Sequence, residues 1–418
     1  MSTISPSLKI GLRFLGVWPG VSHFTFFIYS LSIFIVQYFQ YLYVSAHLKL
    51  SELPNLVDSL PATLDYTLTL LKLASLWTHR RVINQILIAM DNDWRECIGV
   101  EQHLYVMTFK ANISHFFSNA ILSFNTIVAA LYLLGEYAIR AAHIVGDHNN
   151  TLRQLPIKVQ LPFDTEQSPI FELFVVILFL HVMANACTLS IVNGLIFSLV
   201  LHISGQIDII CHELKIISDE VSLYGSSKST LETLIKRHNR VILFSNNIDK
   251  LFSFMALMQV FGNTLVICCL GFIVVISVGN ENSVFMLVKS AIVYVAVMVE
   301  AFIFCFAGEY LSHKSKLIAD AAYESLWYDM PLSQGKNVTF IIMRSQKRLT
   351  ITAGKIMNLS FESFTSVSLL LSELSFNLKL FYKFFVLLIL ASTTIYMYLL
   401  SMHKFLFLNL FFVLHIFR

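Results

Sequence analysis

Three charged side chains stand inside long apolar runs, and their chemistry is the first to need an explanation. Asp65 and Lys72 lie in one run, and Glu300 lies well inside another. An ionisable group within a membrane-spanning helix is functional by default, because burying a charge in hydrocarbon is costly. A charged group near a helix end can instead reach the membrane interface, and Glu300 can serve helix packing. Both interpretations are open at this point.

The groups that could support catalysis or hold a metal are not arranged for either role. Six cysteines lie mostly in apolar stretches, namely Cys97, Cys187, Cys211, Cys268, Cys269 and Cys305. They form neither a disulfide framework nor a Cys/His metal spacing, so we interpret them as small buried residues. No nucleophile–base pair and no phosphate-binding loop is recognisable. We therefore predict no catalytic residue, no metal, no cofactor and no enzymatic activity.

The composition of the chain indicates a polytopic membrane protein. Of its 418 residues, 56% are hydrophobic and 13% are charged, and the mean hydropathy is +0.70. Soluble domains carry about 25% charged residues, so half that proportion leaves a water-facing surface uncovered. The 36 phenylalanines and 16 tyrosines argue against disorder. A net charge of +3 is too small to indicate nucleic-acid binding.

Seven apolar segments are long enough for a helix to cross the hydrocarbon core, which takes about 20 residues. All are expected to be α-helical, since lipid cannot satisfy an open backbone. The predicted spans are residues 24–44, 60–77, 115–134, 170–201, 254–278, 284–307 and a last one from about Ile356 onward. The expected fold class is an all-α membrane protein, a seven-transmembrane-helix bundle.

The lysine and arginine residues set the orientation of this bundle. Alternate loops on the side of the N-terminus hold eighteen of them, against five on the other side. Because cytosolic loops are enriched in these residues, we predict a cytosolic N-terminus, and seven spans then leave the C-terminus outside. The sequon at Asn149 falls in an outer loop and is expected to be glycosylated. The sequons at Asn112, Asn337 and Asn358 face inward and are expected to stay unmodified.

Two cytosolic connectors carry apolar residues at helical spacing, one after the fourth span and one before the fifth. The two stripes are Ile207, Ile210, Leu214 and Ile217, and Leu231, Leu234, Ile235, Val241, Ile242, Ile248 and Leu251. Residues 225–227, a Gly-Ser-Ser sequence, separate them. We expect intracellular helical extensions that form an anchor domain. Subunits meet there, or the helices of one chain pack as a pair, or both.

Seven spans also occur in G-protein-coupled receptors and in transporters. The charge bias argues against the first class, and its Asp/Glu-Arg-Tyr and Asn-Pro-x-x-Tyr motifs are missing. Transporters often show internal repeats and helices broken by glycine or proline at midplane. Here no repeat is visible, and most of the eight prolines lie in loops. Both classes are kept as alternatives.

Several stretches of the chain resemble the insect odorant receptors, over residues 1 to about 366. The first consists of residues 161–164 and Ser168-Pro169, and the second of His238-Asn239, residues 251–253 and Gln259. The third is a long series of short motifs in a fixed order. That series is the most specific for the family, and it consists of Gly308-Glu309, Ala321-Ala322-Tyr323, Trp327-Tyr328, residues 341–347 and residues 352–355. The related gustatory receptors carry a Thr-Tyr…Gln-Phe motif in the last span, which is missing here. A gustatory-type receptor is kept as an alternative.

The resemblance implies a ligand-gated, non-selective cation channel that binds volatile, mostly apolar odorants. Receptors of this family are similar in forming tetramers around a central pore that is lined by the last helix. The resemblance implies a tuning subunit that joins an odorant co-receptor in a hetero-tetramer, in the plasma membrane of olfactory sensory neuron dendrites. The co-receptor itself has a much longer inner loop than residues 202–253 supply.

The resemblance also places the ligand pocket in the outer half of the bundle, among spans two to six. Such a pocket needs apolar surface with a few polar contacts. The candidates are Tyr66, Thr69, Leu70, Leu131, Tyr132, Phe174, Leu178, Ser290 and Tyr294. Tyr294 lies about 15 Å below the outer end of span six, where its hydroxyl needs a partner, so it is expected to point into the bundle. Plain helix packing is the alternative for each candidate.

The end of the chain departs from the family pattern. Glu373-Leu374 stand near the place of a Ser-Tyr pair, and an apolar tail then runs to Arg418. We therefore separate an odorant-receptor-like domain, residues 1–366, from a tail, residues 367–418. Read-through of an unspliced intron accounts for the tail, and an eighth span is the alternative. No pore-gate residue is assigned for this reason.

Overall fold

The computed structural model describes residues 2–47, 53–144, 155–162, 167–224, 228–277 and 284–366. The chain falls into two units, Met1–Ser366 and Val367–Arg418, and every described residue belongs to the first. The predicted glycosylation site Asn149, the separator at residues 225–227 and the tail lie outside the described residues.

Long α-helices dominate the described part of the chain. They are α1 (Pro6–Phe14), α2 (Phe24–Ala46), α3 (Leu53–Thr78), α4 (Arg80–Ile98), α5 (Glu101–Ile144), α6 (Ile170–Tyr224), α7 (Lys228–Ser277), α8 (Val284–Glu324) and α9 (Leu332–Ser345). A 3-10 helix at Trp327–Asp329 precedes α9. An antiparallel hairpin of β1 (Thr352–Ala353) and β2 (Met357–Asn358) follows it. A further helix begins at residue 361 and is described to residue 366.

Five of the described helices, α2 and α5 to α8, are long and apolar enough to cross a membrane. The qualifying segments are Phe24–Ala46, Glu101–Leu133, Ile170–Ile217, Leu231–Val274 and Met286–Glu324, which overlap the first and third to sixth predicted spans. Helix α3, which contains the second predicted span, is 26 residues long. Asp58, Asp65 and Lys72 lower its hydropathy, which a helix enclosed by other helices tolerates.

Helices α6 and α7 extend far beyond the length that crosses the hydrocarbon core. They have 55 and 50 residues, against about 20 for a span. All four members of the stripe predicted after span four lie on α6 and are fully buried. On α7, Leu234 and Ile248 of the second stripe are fully buried as well. One hydrophobic core therefore continues from the membrane-crossing parts into the extensions, which pack together within a single chain.

Two short helices pack against these long ones. Helix α1 begins after Ser5, whose hydroxyl accepts a hydrogen bond from the Leu8 amide at 3.2 Å. Pro6 occupies the first helical position, where no amide donor is needed. Leu8 and Leu12 bury one face of α1, which packs on α6. Helix α4 buries an apolar face against α5 and α7.

The start of the seventh predicted span differs from the expectation. Around Ile356 the chain forms the hairpin, and helical structure begins only at residue 361. Gly354 and Lys355 both have φ = +61°. This left-handed conformation is easy for glycine and interrupts a right-handed helix.

The hairpin is fastened to α7. The Gly354 amide donates to the Ser253 carbonyl at 2.8 Å. The Asp249 carboxylate accepts hydrogen bonds from the Thr352 amide at 2.8 Å and from the Lys355 ammonium. These contacts connect the long helix α7 directly to the segment that leads into the last helix.

Candidate functional site

A cavity of about 160 Å³ lies between α3, α5, α6, α7 and α8. Nine small apolar side chains line it: Ala62, Val128, Ala129, Val182, Ala186, Val266, Val293, Ala296 and Val297. Ile157, from the segment of residues 155–162, also lines the cavity and is 3% exposed. The small side chains on five long helices leave the space that larger residues would fill.

One part of the cavity wall is polar. We name it the polar base, and its members are Asp65, Asn185, Gln259, Asn263 and Glu300. These residues come from α3, α6, α7 and α8. Groups of this kind are stable inside a bundle only when hydrogen bonds compensate for their lost hydration.

Glu300 is the most extensively bonded member of the polar base. Lys72 Nζ donates to Glu300 Oε1 at 2.6 Å, and Asn193 Nδ2 lies 3.3 Å from the same oxygen. Gln259 Nε2 donates to Glu300 Oε2 at 2.8 Å. The Lys72 side chain is 2% exposed and that of Glu300 is 14% exposed. One carboxylate therefore joins α3, α6, α7 and α8.

Asp65 and Asn185 form the other half of the polar base. Asn185 Nδ2 donates to Asp65 Oδ2 at 2.6 Å, which links α6 to α3. Gln259 Nε2 also lies 2.6 Å from Asn263 Oδ1, one turn further along α7. Each carboxylate is thus contacted by at least one primary amide.

Two tyrosines also line the cavity, Tyr66 and Tyr132. The Tyr66 hydroxyl lies 3.2 Å from His181 Nδ1, and the two rings stack with centroids 5.5 Å apart. The Tyr132 ring lies 4.8 Å from the Lys289 ammonium. Asp58 pairs with Lys289 at 3.4 Å and with Lys158 at 2.8 Å. The second ion pair holds the segment that carries Ile157 against α3.

The structure brings two of the nine sequence-predicted pocket residues to the cavity, namely Tyr66 and Tyr132. Thr69, Leu178 and Ser290 are buried but do not line it. Leu70 and Phe174 are half-buried and also lie outside the lining. Leu131 and Tyr294 are 52% and 44% exposed. All nine candidates lie on helices that line the cavity, but seven of them do not belong to its wall.

Tyr294 illustrates why the face matters. We expected it inside the bundle because a hydroxyl in hydrocarbon is costly. The face of α8 that lines the cavity contains Val293, Val297 and Glu300, at spacings of four and three residues. Tyr294 follows Val293 directly and so lies about 100° around the helix from that residue.

The sequence analysis also missed the primary amides that line the cavity. Asn125, Asn185, Gln259 and Asn263 were not pocket candidates, although all four contribute to the wall. Each lies in an apolar run, where an amide is costly without a partner. That cost was the signal that could have identified them. Counting back from Glu300 in steps of three and four would have identified Val297 and Val293.

A second polar cluster lies near the start of the chain. Thr3 Oγ1 is 3.0 Å from His202 Nδ1, and His202 Nε2 is 3.1 Å from Asp93 Oδ2. Trp94 Nε1 donates to Thr3 Oγ1 at 3.1 Å. Hydrolases use a hydroxyl, an imidazole and a carboxylate in this order, but Thr3 and His202 are fully buried. A substrate cannot reach this hydroxyl, so the cluster fastens the N-terminal segment to α4 and α6.

Ion pairs link α4 to α7 beside this cluster. Arg240 donates to both carboxylate oxygens of Glu96 at 2.6 Å. Hydrogen bonding from the Arg240 guanidinium lowers the pKa of Glu96 from its usual value.

All six cysteines are free thiols. Among the described residues, no group of three or more His, Cys, Asp or Glu side chains could hold a metal ion.

Comparison with known sequences gives matches to one family. A sequence profile of the 7tm odorant receptor family matches residues 52–370, more than half of the chain. Odorant receptor 22c of Drosophila melanogaster is 25% identical over 212 residues, 47% of this chain and 51% of that protein. Odorant receptor 10 of Aedes albopictus is 25% identical over 224 residues, 52% of this chain and 57% of that protein. The chain spans about half the length of these curated relatives.

The fold has solved counterparts. The olfactory receptor OR5 of Machilis hrabei in complex with eugenol matches with a TM-score of 0.71 and 14% identity, over 88% of this chain and 94% of that chain. Another structure of OR5 matches with a TM-score of 0.70 and 13% identity, over 88% and 95%. At this level of identity the likeness concerns the fold. It confirms the helical membrane bundle predicted from the sequence.

Proposed function

Because the chain belongs to the 7tm odorant receptor family, we propose that it is the odorant-binding subunit of a ligand-gated, non-selective cation channel. The chain is a multi-pass membrane protein with a mostly helical fold. The cavity is the observation that carries the proposal. An apolar wall with a few convergent polar groups, enclosed by five helices, suits a small volatile molecule.

The contacts of α7 and α8 suggest how a bound odorant opens the channel. Both helices line the cavity, and both also touch the segment that leads into the last helix. Asp249 of α7 binds Thr352 of the hairpin, and Gly308 of α8 lies so close to Leu359 that a Cβ would overlap its carbonyl oxygen. A ligand that favours one arrangement of α7 and α8 therefore shifts the position of the last helix.

The proposed assembly is a hetero-tetramer with an odorant co-receptor in the plasma membrane of olfactory sensory neuron dendrites. Leu332, Phe340 and Met343 of α9 are 78%, 65% and 60% exposed in the single chain. Apolar side chains that cluster on a surface often mark a protein contact. We place this contact on the cytosolic side, in accordance with the charge bias of the loops.

Patch recording in cells that express the chain with the co-receptor tests this function. We expect an odorant-evoked cation current without added nucleotide, and no such current from the co-receptor alone. Current that needs G-protein turnover would favour a G-protein-coupled receptor. Substrate-coupled uptake without channel current would favour a transporter. Either result would overturn the proposal.

We also propose that residues 367–418 are intron read-through and that residues 1–366 are the receptor domain. The apolar tail and the departure at Glu373-Leu374 support this proposal. Sequencing the antennal transcript tests it. A spliced message that retains the codons of the tail would contradict it and favour an eighth span.

A further inference from the structure

The polar base contains buried hydrogen-bond acceptors that lack donors. Asn185 and Gln259 are 3% and 2% exposed, and both line the cavity. Asn185 Oδ1 and Gln259 Oε1 accept no hydrogen bond in the described part of the chain. The orientation of both amides is fixed, since each uses its NH₂ group to donate to a carboxylate. The groups without partners are therefore acceptors.

The two carboxylates of the polar base differ in their charge balance. Glu300 is neutralised by Lys72 at 2.6 Å. Asp65 accepts a hydrogen bond from the Asn185 amide, and no described lysine, arginine or histidine forms an ion pair with it within 4 Å. Asp65 lines the cavity and is not fully buried, so one of its surfaces is open to the cavity. An incoming donor can reach this carboxylate.

Outside the polar base, Asn125 also lines the cavity, and its amide already donates to the Ser190 hydroxyl at 2.9 Å. Val128, Ala129, Val182, Ala186 and Val293 supply methyl surface. The Tyr66 hydroxyl already has His181 as a partner. A ligand that fits this distribution has a donor at one end and an apolar remainder. A ligand with acceptors only would offer no donor to the Asp65 carboxylate, which is unfavourable.

We propose that the ligand of this cavity carries a hydrogen-bond-donating head group, a hydroxyl or a protonated amine, that binds the Asp65 carboxylate. The inference rests on the proposed function, because it names the chemical class of the odorant. Esters, ethers and hydrocarbons of the same shape are then weaker ligands. A protonated amine also supplies the cationic partner that the Asp65 carboxylate lacks. Such charge-assisted hydrogen bonds are stronger than those between neutral groups.

Matched sets of compounds test the proposal on the wild-type receptor with its co-receptor. One set is hexanol, hexylamine and hexyl methyl ether, and another is benzyl alcohol, benzylamine and benzyl methyl ether. The set is extended to further carbon skeletons until one of them evokes current. We expect the alcohol or the amine to have a half-maximal concentration about tenfold or more below that of its ether. An ether that equals or exceeds both donors would overturn the inference.

The variant Asp65→Asn tests the role of the carboxylate. It keeps the shape and still accepts the hydrogen bond from Asn185, but it removes the charge. We expect the amine to lose its advantage over the ether by about tenfold, whereas Asp65→Glu retains an advantage. Val293→Leu is the matched control at an apolar position of the wall. It takes up space and leaves the carboxylate of Asp65 unchanged, so it should weaken all three compounds of a set alike.

The outcomes separate this inference from the proposed function. Currents evoked equally by donors and ethers, with Asp65→Asn unchanged, leave the channel function in place and remove the inference; water then occupies the polar base. Absence of current from every skeleton, in cells where a direct activator of the co-receptor does open the channel, counts against the proposed function itself. The wild-type comparison decides the question even where a variant fails to reach the surface.

Discussion

Lys72 of α3 and Glu300 of α8 form an ion pair of 2.6 Å beside the cavity, with 2% and 14% of their side chains exposed. Glu300 also accepts the amide of Gln259 at 2.8 Å, and Gln259 in turn contacts Asn263. The pair therefore holds two helices together and orients the amides of the polar base. Lys72 and Glu300, two of the charged residues inside apolar runs, therefore contribute to helix packing beside the cavity.

Removing one member of this pair should strongly destabilise the receptor. Lys72→Met leaves the Glu300 charge buried without its cation, which costs about 3–5 kcal/mol. We expect a lower melting temperature of the detergent-solubilised protein and less protein at the cell surface. Lys72→Met combined with Glu300→Gln leaves no unpaired charge and should recover most of the loss. A single variant as stable as the wild type would show that the pair contributes nothing.

Filling the cavity should reduce the odorant response without loss of the fold. Ala186→Leu places an isobutyl group in a space of about 160 Å³, so overpacking should cost less than in a filled core. We expect half-maximal odorant concentrations at least about tenfold higher, measured as evoked current. Ile127→Leu is the control, because Ile127 is 58% exposed on the outer face of α5. An unchanged response of Ala186→Leu would place the ligand elsewhere.

Replacement by phenylalanine should change the odorant response at Tyr66 but not at Tyr294. Tyr66→Phe removes a cavity hydroxyl that bonds to His181, so we expect a shift of the half-maximal concentration by about twofold to tenfold. Tyr294→Phe removes a hydroxyl on a side chain that is 44% exposed and outside the cavity. Its dose–response curves should match those of the wild type. A changed ligand ranking for Tyr294→Phe would instead support the expectation from the sequence.

The membrane-crossing helices could be predicted from the length of their apolar runs, and the extensions of α6 and α7 from apolar residues that repeat every three to four positions. Ile207 and Ile210 are buried on α6 as their spacing indicates. The phase of a helix that is apolar all round is harder to predict, which is why Tyr294 was assigned to the cavity and Val293 was not. Only a polar marker such as Glu300 reveals which side of such a helix faces the bundle.

Contacts between distant parts of the chain could not be predicted from the sequence. Thr3 and His202 are 199 positions apart, and neither lies in a motif that names the other. The hairpin after α9 was also missed, because its turn depends on Lys355 adopting a positive φ that lysine rarely adopts. Contacts to α7 at Asp249 hold it there, and periodicity carries no information about them.

The buried cluster around Thr3 should stabilise the N-terminal segment. Thr3→Val removes the hydroxyl used by both Trp94 and His202, and leaving buried groups without a partner costs about 1–3 kcal/mol. We expect a lower melting temperature and faster trypsin cleavage at Lys9 and Arg13. Thr25→Val is a matched control, since the Thr25 hydroxyl bonds to the Phe14 carbonyl in an exposed setting. Equal cleavage of both variants would contradict the role assigned to the cluster.

The predicted orientation of the bundle can be tested by glycosylation. Asn337 is exposed on α9. Its helical backbone, however, is a second reason for it to stay unglycosylated, so its native sequon does not report the topology alone. A better reporter is Arg348→Asn, which completes a sequon with Thr350 in an exposed, non-helical segment.

We expect no endoglycosidase-sensitive mass shift for the Arg348→Asn variant beyond that of the wild type, because this segment should face the cytosol. The native shift should disappear in Asn149→Gln. A new shift in Arg348→Asn together with an unchanged shift in Asn149→Gln would reverse the topology. In that case the exposed apolar face of α9 would lie outside the cell, and the proposed cytosolic contact between subunits would be lost with it.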